Sequence, residues 1–299
     1  FLAALGRSSI AWLWFPALVW TVLAALILTF LRLARGLHPL VAYRMRQALL
    51  LALPLAAVLT PLMPWGVGPL ARWSPPQSVT AQPVVDAAAQ SPEQAASQLA
   101  AAPTLPEVAS TLSTPEALDV MNRLLGIATL AALLLAAAHA VVLFRHLCAL
   151  RRLRAGLDSV AEPAALRLLE DMARQFGVRR EVDLFEGAPG SVPLTFHARR
   201  PAIVIPPGVL RDPGTLRIAL AHELVHVRRG DFGWALLERV VATVYVFHPL
   251  VRAVRRSVEQ LRESSCDAEV VASGITTPRA YAELLYELGG RAPLELGVA

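Results

Sequence analysis

Lysine is missing from this 299-residue chain: all 28 basic residues are arginines, set against 23 acids for a formal net charge of +5. The arginines lie chiefly where positive charge flanks membrane spans, so no direct nucleic-acid binding is expected. Cysteine is nearly missing as well. Cys148 and Cys266 both fall on the side of the membrane read below as cytoplasmic, which makes them reduced thiols and excludes a disulfide framework. From Ser74 to Asn122 there is no basic residue. The stretch from Ser74 to Leu118 consists largely of Ala, Gln, Pro, Ser and Thr, and cannot build a core. No internal repeat is evident.

Apolar residues are what the chain has in excess, at 55% with a mean hydropathy of +0.50, well beyond a typical soluble domain. Residues 10–31, 47–65 and 124–144 are uncharged runs, each about long enough for a ~30 Å hydrocarbon core. Pro54, Pro61 and Pro64 fall in the second run and are expected to kink or shorten it. Arg32, Arg35, Arg44 and Arg46 lie between the first two runs, and Arg145, Arg151, Arg152 and Arg154 follow the third. Positive charge stays on the cytoplasmic side. The expectation is a multipass protein of a bacterial inner membrane, with the N-terminus and the 66–120 loop outside. His139 lies within the third run and is expected to hydrogen-bond a neighbouring helix.

His222-Glu223-Leu224-Val225-His226 carries the chemistry. On a helix, residues four apart share a face, so both imidazoles can reach one ion while Glu223 faces a water held there. Neutral imidazoles suit zinc, and a catalytic zinc needs three protein ligands and one open position. Glu223 then serves as general base and later as proton donor to the departing amine. Asp212 as N-cap, Pro213 at the first position and Gly230 as the C-terminal stop give this helix proper ends.

A third ligand has to come from elsewhere. The metzincin spacing is excluded, because Arg229 and Phe232 stand where it needs glycine and histidine. Glu263 is favoured, with Asp267 one turn further on the same face as the partner of a ligating imidazole. Glu259, Glu269 and His248 compete as ligand types, and the acids here can instead pair with Arg255, Arg256 and Arg262. Cys266 differs from Glu263 in helix phase and is assigned to packing. For the group that stabilises the oxyanion, Tyr245, His248 and Arg252 are the candidates.

The run from His222 to Asp231, Phe247-His248-Pro249-Leu250-Val251, and Arg262-Glu263-Ser264-Ser265-Cys266-Asp267 together resemble the membrane metallopeptidases of the BlaR/MecR type. That resemblance implies His222, His226 and Glu263 as ligands of one zinc ion per chain and Glu223 as the base. Relatives transmit β-lactam detection across a bacterial membrane, which implies regulated cleavage of a protein substrate, the chain itself or a transcriptional repressor. Members that sense β-lactams carry a penicillin-binding domain after a further span. The sequence ends at Ala299 before either, and is read as a fragment or as answering another signal.

The expected architecture is a membrane α-helical bundle plus a cytoplasmic α+β gluzincin-like metallopeptidase domain with a small antiparallel sheet. Residues 1–65 supply two transmembrane helices, 66–120 an extracytoplasmic loop, 121–145 a third transmembrane helix and 146–299 the peptidase domain. Within that domain, a helix is expected over residues 163–176 and strands over 182–185, 192–197 and 202–205. Pro193 has no amide to donate, which puts the middle strand at an exposed edge able to align an extended substrate. Residues 232–251 are expected to be buried or lodged at the membrane surface. Two other readings stand beside this one: an HtpX-type quality-control protease, and a receptor or scaffold whose zinc merely staples two helices.

Overall fold

The computed structural model describes residues 1–34, 36–60, 115–197 and 199–291. By contacts the chain divides into two compact units, residues 1–20 with 55–131 and residues 21–54 with 132–299. Three helical stretches, Leu2–Leu33, Pro39–Leu59 and Glu116–Ala155, are long and apolar enough to cross a membrane.

In the first stretch α1 (Leu2–Ser9) passes through a π-helical turn (Ile10–Trp14) into α2 (Phe15–Leu33); α3 is Pro39–Leu59 and α4 is Pro115–Ala155. Pro54 sits inside α3 without ending it. At 1.5 Å per residue α4 is about 60 Å long, twice a ~30 Å hydrocarbon core. Within the first unit, α1 and α4 touch backbone to backbone. A Cβ at Gly6 would stand 1.9 Å from the Asn122 carbonyl oxygen, and one at Gly126 would stand 2.0 Å from that of Leu2. Small residues permit such an approach where lipid offers no hydrophobic gain from association. Trp14 Nε1 donates to Thr129 Oγ1 at 2.9 Å, and Thr129 lies 3.0 Å from Ser9 Oγ. His139, expected to bond a neighbouring helix, instead lies 3.0 Å from the Leu135 carbonyl of its own helix. The 66–120 loop lies largely outside the described residues, and from Pro115 onward the chain is helical.

The second unit holds α5 (Pro163–Gln175), β1 (Asp183–Glu186), β2 (Leu194–Phe196), β3 (Ala202–Ile205), α6 (Pro207–Leu210), α7 (Pro213–Arg229), α8 (Asp231–Val244), α9 (Pro249–Ala272) and α10 (Pro278–Arg291). The sheet corrects the antiparallel expectation. Its order is β1-β3-β2, with β3 antiparallel to β2 but parallel to β1. The connection from β1 to β2 steps over the place that β3 fills. The hairpin of β2 and β3 therefore leaves β1 running alongside β3 in the same direction. β2 is an edge strand, as Pro193 before it demands.

α7 is the central element. Asp212 caps it by accepting from the amides of Gly214 and Thr215, and Gly230 ends it in the left-handed conformation at φ 67°. Leu220, Leu224 and Val225 are fully buried, each contributing roughly 1.5–3 kcal/mol. They pack with Leu169 and Met172 of α5, Ile203 and Ile205 of β3, Val270 of α9 and Tyr281 of α10. The result is a rigid seat for His222 and His226. α8 is inside out for a helix in water: Asp231, Glu238 and Val241 are buried, while Trp234, Leu237, Val240 and Val244 are exposed.

Candidate active site

The imidazoles of α7 and Glu263 of α9 meet at one point. His222 Nε2 and His226 Nε2 are 3.1 Å apart, and Glu263 Oε2 lies 3.6 Å from the first and 3.5 Å from the second. Each ring is held from behind. His226 Nδ1 faces Asp231 Oδ2 at 2.9 Å, and since a carboxylate only accepts, the ring proton belongs on Nδ1. His222 Nδ1 faces Tyr281 Oη at 2.8 Å and Asp267 Oδ1 at 3.3 Å. Tyr281 donates its own proton to Asp267 at 2.7 Å, leaving its oxygen free to accept from His222. Both Nε2 lone pairs therefore converge on a carboxylate oxygen with no donor between them.

Three acceptors so placed need a cation or protons. In the metal-free protein protons serve. Burial lowers the affinity of His222 for its proton, but the hydrogen bonds to Asp267 and Glu263 and the charge of Glu223 push the imidazole up to about 9. For His226 burial is likewise outweighed, by Asp231, Cys266 and Glu263, and the ring is pushed up to about 12. Glu263 moves the other way. Burial would raise its carboxyl, yet the two imidazoles hold it well below the usual carboxylate range.

The donor set fits zinc. Ligands bound at about 2.0 Å around a tetrahedral ion stand about 3.3 Å apart, the scale of the separations among these three atoms. A second group, His226, Asp231 and Cys266, is compact but unsuited to a divalent ion. Arg229 Nη1 donates to Cys266 Sγ at 3.1 Å, and its Nε is 3.5 Å from Asp231 Oδ2, so a cation already occupies that side. Burial also pushes the Cys266 thiol up, away from the thiolate that zinc would need. That cluster reads as the tether of His226. Cys266 nonetheless sits closer to the site than its helix phase suggests, 3.4 Å from His226 Nδ1.

Glu223 is 5% exposed and accepts from Thr195 Oγ1 of the edge strand at 2.6 Å. Two cavities open at it. One of about 710 Å³ is lined by Leu194, Thr195, His197, His226 and Glu263 among others. His197, at the end of β2, takes a positive φ of 72°, which is rare for a residue other than glycine. The other, about 250 Å³, lies between α7 and α10, with Val192, Pro193, Ile218, Ala219 and Leu284 making it apolar.

Of the competing ligands, Glu259 pairs with Arg255, Glu269 pairs with Arg228, and His248 Nε2 lies 2.8 Å from Thr21 Oγ1. Tyr245, His248 and Arg252 line neither cavity. Sequence reasoning passed over Asp231, Thr195 and Tyr281. Asp231 had a signal, since it lies five residues beyond His226 across the αL turn at Gly230. Thr195 and Tyr281 had none, being 28 and 59 residues from the groups they touch.

The model of the BlaR1 peptidase M56 family matches residues 14–295. The chain belongs to this family. A metallopeptidase with a metal cofactor and a protein substrate follows from that membership, and the three apolar helices agree with a membrane protein. Among curated proteins nothing matches.

Proposed function

We propose that the chain is a membrane-embedded zinc endopeptidase of gluzincin type, cutting a protein substrate at the cytoplasmic side, with His222, His226 and Glu263 as ligands and Glu223 as general base. The observation that carries this reading is the convergence of two Nε2 atoms and a carboxylate within 3.6 Å beside a buried glutamate. His222, His226 and Glu263 would hold a zinc ion, which would supply Lewis acidity toward the scissile carbonyl. Glu223, fixed by Thr195, would take a proton from the attacking water and deliver it to the leaving amine. Asp231, Tyr281 and Asp267 keep the imidazoles oriented. The outer edge of β2, unpaired among the described residues, offers backbone groups to an extended substrate. The 250 Å³ cavity takes an apolar side chain next to the cut. A structural staple would have no use for a glutamate held in this position.

The arginines between the first two spans and after the third support a cytoplasmic peptidase domain, residues 146–299, in a bacterial inner membrane. The exposed stripe of Trp234, Leu237, Val240 and Val244 supports lodging of α8 in the lipid interface. Family membership supports regulated signalling proteolysis, with a transcriptional repressor or the chain itself as substrate. Zinc content and cleavage of casein and of the chain itself, for wild type and Glu223→Gln, test the reading. Zinc retained by both with cutting lost in the variant is expected. Zinc retained with no cutting by either would replace the peptidase with a structural staple.

A further inference from the structure

One turn of membrane helix α3 touches α7 and α9, which carry the three candidate ligands, and α8 between them. Tyr43 and Gln47, four residues apart and 0% and 4% exposed, face into the second unit. Gln47 Nε2 is 3.0 Å from Tyr43 Oη and 2.9 Å from Glu238 Oε1 of α8, and its Oε1 accepts from Arg44 at 2.9 Å. Arg262 of α9, the residue before Glu263, forms a buried ion pair with Glu238 and lies 3.4 Å from Tyr43 Oη through Nε. The ring of Tyr43 also faces three guanidinium groups: its neighbour Arg44 at 5.1 Å, Arg262 at 5.7 Å and Arg229, the last residue of α7, at 5.1 Å. Arg229 in turn bonds Ser265 and Cys266 of α9.

We infer that Tyr43 and Gln47 are positioning residues of the metal centre, a strut through which membrane helix α3 fixes where α9 presents Glu263 relative to the two imidazoles of α7. The inference rests on the ligand set proposed above. Its physical basis is that Glu263 is the half-exposed ligand, with a side chain 52% accessible, and the only one of the three outside α7. Among the described residues its carboxylate meets only the two imidazoles, at 3.6 and 3.5 Å. The residue beside it is locked, however, since Arg262 cannot move without breaking a buried charge pair and its contacts with Tyr43. A shift of α3 along its axis would therefore be passed to Glu263 through Arg262, and to the C-terminal end of α7 through Arg229. Fine placement of one carboxylate by a transmembrane element is the kind of linkage that lets an event in the membrane set the occupancy of a cytoplasmic site.

The test uses the full chain in nanodiscs on a Glu223→Gln background, with zinc affinity read by competition against a chelator and helical content by circular dichroism. Tyr43→Leu and Gln47→Leu are expected to weaken zinc about ten-fold, the scale on which partners that orient ligands act, with helical content unchanged. Tyr43→Phe keeps the ring beside Arg229 and Arg262 and is expected to weaken zinc about three-fold. In chains that retain Glu223, kcat should fall with KM unchanged, because the metal ligand moves and the substrate edge does not. Zinc affinity within two-fold of wild type in the folded variants would overturn the strut, and Tyr43→Phe decides alone if the leucine variants do not fold. A wild-type chain that takes up no zinc would overturn the metal site itself, which separates the two failures.

Discussion

Two polar clusters in the second unit, one buried and one opening at a half-exposed carboxylate, differ in whether they are complete. In the cluster of Tyr43, Gln47, Glu238 and Arg262 every charge meets its opposite and both ends of the Gln47 amide are engaged. In the cluster of His222, His226 and Glu263 the outward atoms of both rings are satisfied, while the inward ones confront one another and a carboxylate at 3.1 to 3.6 Å. The first is closed and rigid. The second brings three ligand-type atoms to one point, where protons or a cation must keep them together. Buried polar groups are normally paired, so the incomplete cluster marks the place where a ligand belongs and the complete one marks the scaffold that holds it.

If that contrast is right, removing one carboxylate has opposite signatures in the two places. Glu238→Gln leaves Arg262 as a buried charge without its partner and should cost about 3–5 kcal/mol of stability, read as a drop in the unfolding midpoint whether or not zinc is present. Glu263→Gln should lower the metal-free midpoint less than Glu238→Gln does, since its side chain is half-exposed, yet weaken zinc at least ten-fold in a chelator titration. Similar stability losses in both would erase the distinction.

The two tethers behind the imidazoles sharpen it further. Asp231→Asn removes the buried charge that fixes His226 and should weaken zinc about 10–100-fold. Tyr281→Phe should cost less, because Asp267 stands 3.3 Å from His222 and can take over its Nδ1 proton. Equal losses by isothermal titration would show that the tyrosine and the aspartate act as one unit.

Protons separate the clusters in a third way. The folded value for His222, about 9, lies above the ~6.5 of an unfolded imidazole. In metal-free protein its contribution to stability is therefore complete below about pH 6.5 and is lost as pH rises through about 9. Unfolding in the presence of EDTA should grow easier over that window, and bound zinc should abolish the slope, since the ring is then deprotonated in the folded state. An EDTA-treated protein with flat stability across the window would remove the idea of protons standing in for the ion.

The smallest effect belongs to the apolar cavity. Ala219→Leu adds bulk beside His222 and should lower kcat/KM about ten-fold for peptides with a large apolar residue next to the cut. Those with alanine there should be spared. A uniform loss across a peptide library would mean the cavity selects nothing.

Much of the incomplete cluster was legible because it is local. The spacing of His222 and His226, the Asp212 cap, the Gly230 stop and the phase of Glu263 and Asp267 are all written within single helices. The helix over residues 163–175 and the edge position of β2 were readable for the same reason, from apolar period and from a proline. The complete cluster was not legible at all. Gln47 and Glu238 are 191 residues apart and Tyr43 and Arg262 are 219 apart, and no periodicity joins side chains across such distances. Sheet direction was lost likewise, since alternation of side chains reports which face is buried and says nothing of which neighbour a strand chooses. For α8 the sequence left two readings open, burial or lodging at a membrane surface. Its apolar stripe signals burial in either medium, and only the position of Glu238, turned inward to Gln47 and Arg262, shows that the stripe faces out.

X-ray absorption at the zinc edge of the loaded Glu223→Gln protein tests the ligand set most directly. The expected spectrum has nitrogen and oxygen scatterers alone at about 2.0–2.1 Å, with the outer-shell features of two imidazoles. A sulfur scatterer at about 2.3 Å would place the ion with Cys266 and Asp231 instead, and would contradict the assignment of His222, His226 and Glu263.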